Sequence, residues 1–122
     1  MTISQTATTD RDLGDAFDIL GSHRRRLVLA RVSGVDEAVP IGRLATELAS
    51  AEGEKPLEAV TMAERDRNKV RLHHADIPAL AAAGLVHYNP QRRLVSAGEL
   101  PLEGEEWLEM PVVEALEAWN RH

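Results

Sequence analysis

The sequence predicts a mainly α-helical domain that carries one β-hairpin and is followed by an additional C-terminal helix. Three observations lead there. Apolar residues recur at three- and four-residue spacing in successive segments before residue 84. After Gly84 the period changes to two, in a pair of short runs separated by a turn. Beyond residue 104 an acidic segment again shows helical spacing.

The elements follow in order. Residues 1–11 are polar and Thr-rich and read as a flexible tail. From Asp12, which can cap a helix, Leu13, Ala16, Phe17 and Leu20 form an apolar stripe. Gly21-Ser22 interrupts it, and Ser22 caps a second helix carrying Leu27, Val28, Ala30, Arg31 and Val32, ended by Gly34. Val39-Pro40-Ile41 is a short extended segment. A brief helix then covers Gly42 to Ala51 with Leu44, Ala45 and Leu48 on one face, and Glu52 to Val60 is a polar loop. Thr61-Met62-Ala63-Glu64 matches a capping box and starts a helix expected to run unbroken to Ala83. Leu85 to Tyr88 and Leu94 to Ser96 are strands around the turn Asn89-Pro90-Gln91-Arg92-Arg93. Residues 98–104 are a linker, and Glu105 to Trp119 form an amphipathic helix with Leu108, Val112, Leu116 and Trp119 on its stripe. Helix, helix, short strand, helix, long helix, hairpin is the order of a winged helix-turn-helix domain, here expected over residues 12–98, with residues 99–122 as acidic linker and C-terminal helix.

Charge is unevenly placed. The net charge is −6, yet seven acids and one arginine lie beyond residue 98, so the first 98 residues are neutral overall. Residues 61–93 hold six basic residues against three acidic ones. Binding of a polyanion depends on this local field, so an acidic total does not exclude DNA. Twelve arginines accompany only two lysines, a bias expected of a high-salt or GC-rich source. With no cysteine, disulfides, thiolate metal sites and cysteine catalysis are excluded. No apolar run approaches the roughly 20 residues that cross a bilayer, and the first ten residues have no apolar centre of a signal peptide. A cytoplasmic protein is expected.

At Ala16-Phe17-Asp18-Ile19-Leu20, His23-Arg24-Arg25-Arg26-Leu27-Val28-Leu29 and Asp76-Ile77-Pro78-Ala79-Leu80-Ala81-Ala82-Ala83-Gly84-Leu85-Val86-His87-Tyr88, the chain resembles the small winged-helix domains of halophilic archaea and, more distantly, the ArsR-type transcriptional repressors. Those proteins share a helix ending in Leu-x-x-Leu-x-x-Ala-Gly-Leu-Val before the wing. The resemblance spans residues 12–98 and implies a DNA-binding transcriptional regulator. It implies no metal sensor, since the cysteine ligands of the metal-sensing relatives are absent.

A helical wheel of residues 61–83 places Val70, Ile77, Leu80 and Ala81 on a docking side with Met62 and His73 at its edge. Arg65, Asn68, Arg71 and Leu72 fall opposite, with Arg67 and Lys69 on the flanks. Arg and Asn are the residues that bond guanine and adenine edges, and Leu72 suits a thymine methyl. The candidate DNA contacts are therefore Arg65, Asn68, Lys69, Arg71 and Leu72 on the helix and Gln91, Arg92 and Arg93 at the hairpin tip; the bland alternative is a solvated charged face. Arg24, Arg25 and Arg26 point three ways from one helix and are assigned a mainly structural role, paired with Asp15, Asp18 or loop acids. His73 and His74 are expected to be partly buried and hydrogen-bonded rather than metal ligands. No enzyme motif stands out, and no cofactor is expected. Leu108, Val112, Leu116 and Trp119 either dock on their own domain or pair with a second copy; a homodimer suits two-fold DNA half-sites. The expected partner is double-stranded DNA, with a protein-binding module as the rival reading and no effector legible.

Overall fold

The structure, a computed structural model, describes residues 19–98, 104–111, 114 and 117. The expected tail and most of the first helix lie outside these residues; Ile19 and Leu20 are helical and buried. Helix α1 (His23–Ser33) begins at Ser22, whose side chain accepts from the Arg25 N–H at 3.2 Å, and stops at Gly34. Its inward residues are Leu27, Val28, Leu29 and Val32, joined by Arg24. Strand β1 (Val39–Pro40) leads into α2 (Ile41–Glu52), where Ile41, Leu44, Ala45, Leu48 and Ala49 form the buried stripe. Within the polar loop that follows, Leu57–Ala59 makes a 3₁₀ turn.

Helix α3 (Met62–Arg71) starts on the capping box expected from sequence. The Glu64 N–H bonds Thr61 Oγ1 at 3.1 Å, and the Thr61 N–H bonds Glu64 Oε1 at 2.9 Å. The helix does not continue regularly. Residues Leu72–Asp76 form a π-helical turn, closed by the Ile77 N–H on the Leu72 carbonyl, before α4 (Ile77–Ala82). Pro78 explains the change, because a proline ring clashes with the carbonyl four residues back and a wider turn relieves it. Gly84, at φ 79°, then ends the helix in a Schellman arrangement: Gly84 N–H bonds Ala81 O and Leu85 N–H bonds Leu80 O.

Strands β2 (Val86–Asn89) and β3 (Leu94–Ala97) form the expected hairpin, with Tyr88 opposite Val95 and Asn89 opposite Leu94. Strand β1 adds to the free side of β3, pairing Val39 with Val95, so a three-stranded antiparallel sheet is ordered β1-β3-β2. Pro40, without an N–H, sits on an edge strand where no ladder bond is lost. Gly98 is required where the hairpin leaves the sheet: its N–H bonds Leu85 O at 2.9 Å, and an added Cβ would collide with the Gly84 carbonyl oxygen.

The protein is thus mainly helical with a small antiparallel sheet. Trp107 of α5 (Glu106–Glu109) is fully buried in the same core as Leu20, Leu29, Leu44, Leu80 and Val95. Leu108 and Met110 pack against that core, and Gly104 N–H donates to Ser33 Oγ at 2.8 Å. The helix expected from Glu105 to Trp119 is interrupted. Met110 is extended (φ −79°, ψ 134°), as the residue before a proline prefers, and helix is present again at Glu114 and Glu117. The start of this segment therefore docks on its own domain. Val112, Leu116 and Trp119 lie outside the described residues.

Candidate nucleic-acid interface

The side of α3 that faces the domain is polar. None of its residues is fully buried, and Glu64, Arg65, Asn68 and Lys69 are half-buried. Glu64 receives the Lys55 ammonium as well as the Thr61 N–H. The lysine first, and then the backbone N–H, hold its carboxyl well below the usual range, at about 2. Asn68 is engaged twice: its Oδ1 accepts from Arg24 and its Nδ2 donates to the Glu64 carbonyl at 2.9 Å. Arg24, only 5% exposed, also places Nε 2.7 Å from Asp76 Oδ2 and Nη1 2.8 Å from Glu52 Oε1. Arg25 Nε reaches the other oxygen of Asp76 at 3.2 Å. One arginine of α1 thereby ties together the end of α2, the middle of α3 and the π turn. The structural role expected for the arginine triplet is met by Arg24 and Arg25; of the expected partners the loop acid Glu52 binds Arg24, Asp76 is an added one, and Asp15 and Asp18 lie outside the described residues.

This network corrects the helical wheel. Leu72 is fully buried in the core, so it presents nothing to a groove. Asn68 has its side chain committed to Arg24 and Glu64. Arg65 is 39% exposed, with Nε buried and 3.9 Å from Asp66, too far for a hydrogen bond. Conversely Val70, assigned to the docking side, is 58% exposed, and Met62 is 70% exposed. The physical reason is twofold. A buried salt-bridge network replaces apolar contacts under α3, and the π turn rotates everything after Arg71. Inward positions consequently recur at 64, 68, 72, 76 and 80. That spacing of four would drift by about 40° per step on a regular α-helix. The histidines are also corrected: His73 and His74 are exposed, although His73 Nδ1 is hydrogen-bonded to the Tyr88 hydroxyl at 3.0 Å.

What faces outward is a set of unpaired cations. Arg67 and Arg71 on α3 and Arg92 and Arg93 on the hairpin are exposed, Lys69 is half-buried at the flank of α3, and none of the five has an ion-pair or side-chain hydrogen-bond partner among the described residues. Of the three acids in this stretch, Glu64 is paired with Lys55 and Asp76 with Arg24 and Arg25, leaving Asp66. The face is more positive than the residue count implies. At the hairpin tip Asn89 Oδ1 accepts from the N–H groups of Gln91 and Arg92, both at 3.1 Å, so the tip is a defined turn with Gln91 exposed on it. Arg93 adopts a left-handed φ of 57°, and its carbonyl accepts from Ile41 N–H at 2.9 Å, pinning the tip to the start of α2.

Helix and hairpin meet at a concavity of about 190 Å³ lined by Lys69, Val70, His73, His74, Tyr88 and Arg93, with no acid. A larger groove of about 760 Å³, which shares none of these residues, sets Arg31 and Arg43 among Asp36, Glu37, Glu47 and Glu105 and is unsuited to a polyanion. The residue pattern that carries both the helix and the hairpin matches a family described as "Domain of unknown function (DUF7344)" over residues 17–96. The chain belongs to the DUF7344 family. No curated protein and no solved structure matches it. The DUF7344 span includes the Arg24 network and the cationic face and ends before Trp107, which closes the core from outside it. No helix among the described residues of this DUF7344 protein is long and apolar enough to cross a membrane.

Two features of the site escaped the sequence. The Arg24–Glu52–Asn68–Asp76 cluster had one legible signal, an aspartate on the same stripe as Ile77 and Leu80. The unpaired state of the outward cations had none, because it depends on which acids are neutralised inside.

Proposed function

We infer that this DUF7344 protein is a DNA-binding transcriptional regulator of the winged helix-turn-helix type. In this reading α2 and the 62–82 helix are the helix-turn-helix, with the outer face of the latter in the major groove, and the 86–97 hairpin is the wing along the backbone. The observation that carries the reading is the co-location of five cations without a partner among the described residues, Arg67, Lys69, Arg71, Arg92 and Arg93, against Asp66 as the one acid of residues 61–93 without a close cation. Arg67 and Arg71 replace Arg65 and Asn68 as base-reading candidates, and Val70 takes the thymine-methyl role first given to Leu72. Arg92, Arg93 and Lys69 suit phosphates.

The rival is a protein-binding module. It is favoured by Met62 and Val70, two large apolar side chains exposed on the same face. Selection of bound genomic fragments discriminates the two. The DNA reading expects a recurrent motif enriched by the wild type and lost in the Arg67→Ala/Arg71→Ala variant. Recovery of no motif by a folded protein refutes it. A homodimer, formed through Val112, Leu116 and Trp119, would match two half-sites and belongs to the same proposal.

A further inference from the structure

The concavity between the π turn and the hairpin is shallow and gathers polar side chains from three elements. Lys69 from α3, His73 and His74 from the π turn, and Tyr88 and Arg93 from the hairpin supply its polar groups. Ile41 from α2 and Val70 add apolar wall. At about 190 Å³ it holds more than a few waters and less than a nucleotide. Asp76, the acid of the π turn, is turned into the core and bound by Arg24 and Arg25, so it does not oppose this cationic lining.

The Tyr88–His73 contact fixes the ring. Tyr88 Oη and His73 Nδ1 share a hydrogen bond at 3.0 Å, which leaves Nε2 at the ring edge away from Tyr88. In the tautomer where Tyr88 is the donor, that edge of His73 carries an N–H. Its ring is edge-on to both His74, with centroids 4.9 Å apart, and Tyr88, at 5.8 Å, which limits its rotation. Arg93 is fixed at its backbone by the bond to Ile41.

We propose that this concavity binds a single phosphate group, with Lys69, His73 and Arg93 as donors and Tyr88 positioning His73. The identity of the phosphate as one of a duplex backbone rests on the DNA-binding reading; the site itself does not. The test has two arms. Inorganic phosphate is titrated into the full chain while the side-chain nitrogen resonances of His73 are followed by NMR. A saturable shift that is lost in Lys69→Gln and Arg93→Gly supports the site, and no shift overturns it. Duplex affinity is then measured for the wild type, His73→Ala and Tyr88→Phe. Both variants should weaken binding several-fold, His73→Ala the more, and in Tyr88→Phe the His73 Nδ1 resonance of the free protein should move while its phosphate-induced shift shrinks. Duplex binding unchanged in His73→Ala overturns the site and leaves the DNA reading standing. A phosphate-dependent His73 shift without any duplex binding does the reverse.

Discussion

Breaking the Arg24–Asp76 pair tests whether the 62–82 helix is held by a polar anchor rather than by an apolar stripe. Asp76→Ala leaves the Arg24 Nε, in a side chain only 5% exposed, without its acceptor at 2.7 Å. Arg25, more exposed, recovers water. Removing one member of a buried ion pair costs about 3–5 kcal/mol, because the remaining charge stays buried and uncompensated. Glu52 and Asn68 still hold Nη1 of Arg24, so the lower end, about 3 kcal/mol, applies. That is a large share of the roughly 5–15 kcal/mol of a small domain and lowers Tm by on the order of 15 °C. Urea unfolding followed by the fluorescence of buried Trp107 reads it directly. The double variant Arg24→Met/Asp76→Leu removes both charges and should recover most of the loss, to within about 1 kcal/mol of wild type. A cost for Asp76→Ala below about 1 kcal/mol, or no recovery in the double variant, refutes the anchor.

Three further outcomes are expected. Arg93→Gly relieves a left-handed residue and stabilises the fold by roughly 0.5–1 kcal/mol, while weakening duplex binding several-fold; a gain in stability without loss of binding removes Arg93 from the interface. Glu64 is ionised more easily folded than unfolded, so its contribution is complete above the ordinary carboxylate pKa and fades as pH falls from about 4.5 to about 2. The stability gap between wild type and Glu64→Gln should therefore close across that window, and a gap constant down to pH 2 contradicts the Lys55–Glu64 pairing. Truncation after Pro111 spares Trp107 and should give a folded monomer by light scattering from a wild-type dimer; an unchanged dimer mass places the interface elsewhere.

Local chemistry made much of the fold legible. Ser22, the Thr61–Glu64 box and Gly84 mark helix ends that the chain uses, and the change of period after Gly84 marks the hairpin. Legibility failed where a long-range contact outweighed local pattern. Val70 faces solvent and Asn68 faces inward because Arg24, 44 residues away from Asn68, supplies the buried partner. Pro78 sits at the first turn of α4 without ending the helical run, by way of a π turn that shifts Leu72 into the core. Trp107 lies off the stripe of Leu108, Val112, Leu116 and Trp119, from which docking and pairing with a second copy are both open, yet it is fully buried in the core. For the candidate site, Arg71, Arg92 and Arg93 are exposed, while Lys69, on the flank of the wheel, is half-buried. Arg67, also on the flank of the wheel, is exposed because its neighbour Asn68 turns inward to Arg24.

The salt dependence of duplex binding tests the central claim most directly. Three cations placed against phosphates, Lys69, Arg92 and Arg93, predict a slope of log affinity on log salt of about −2.7 per protomer. Converting Arg92 and Arg93 to Gln should reduce its magnitude by about 1.8. A slope near zero, or binding that stays undetectable at about 50 mM salt, where phosphate contacts are strong, would contradict the account.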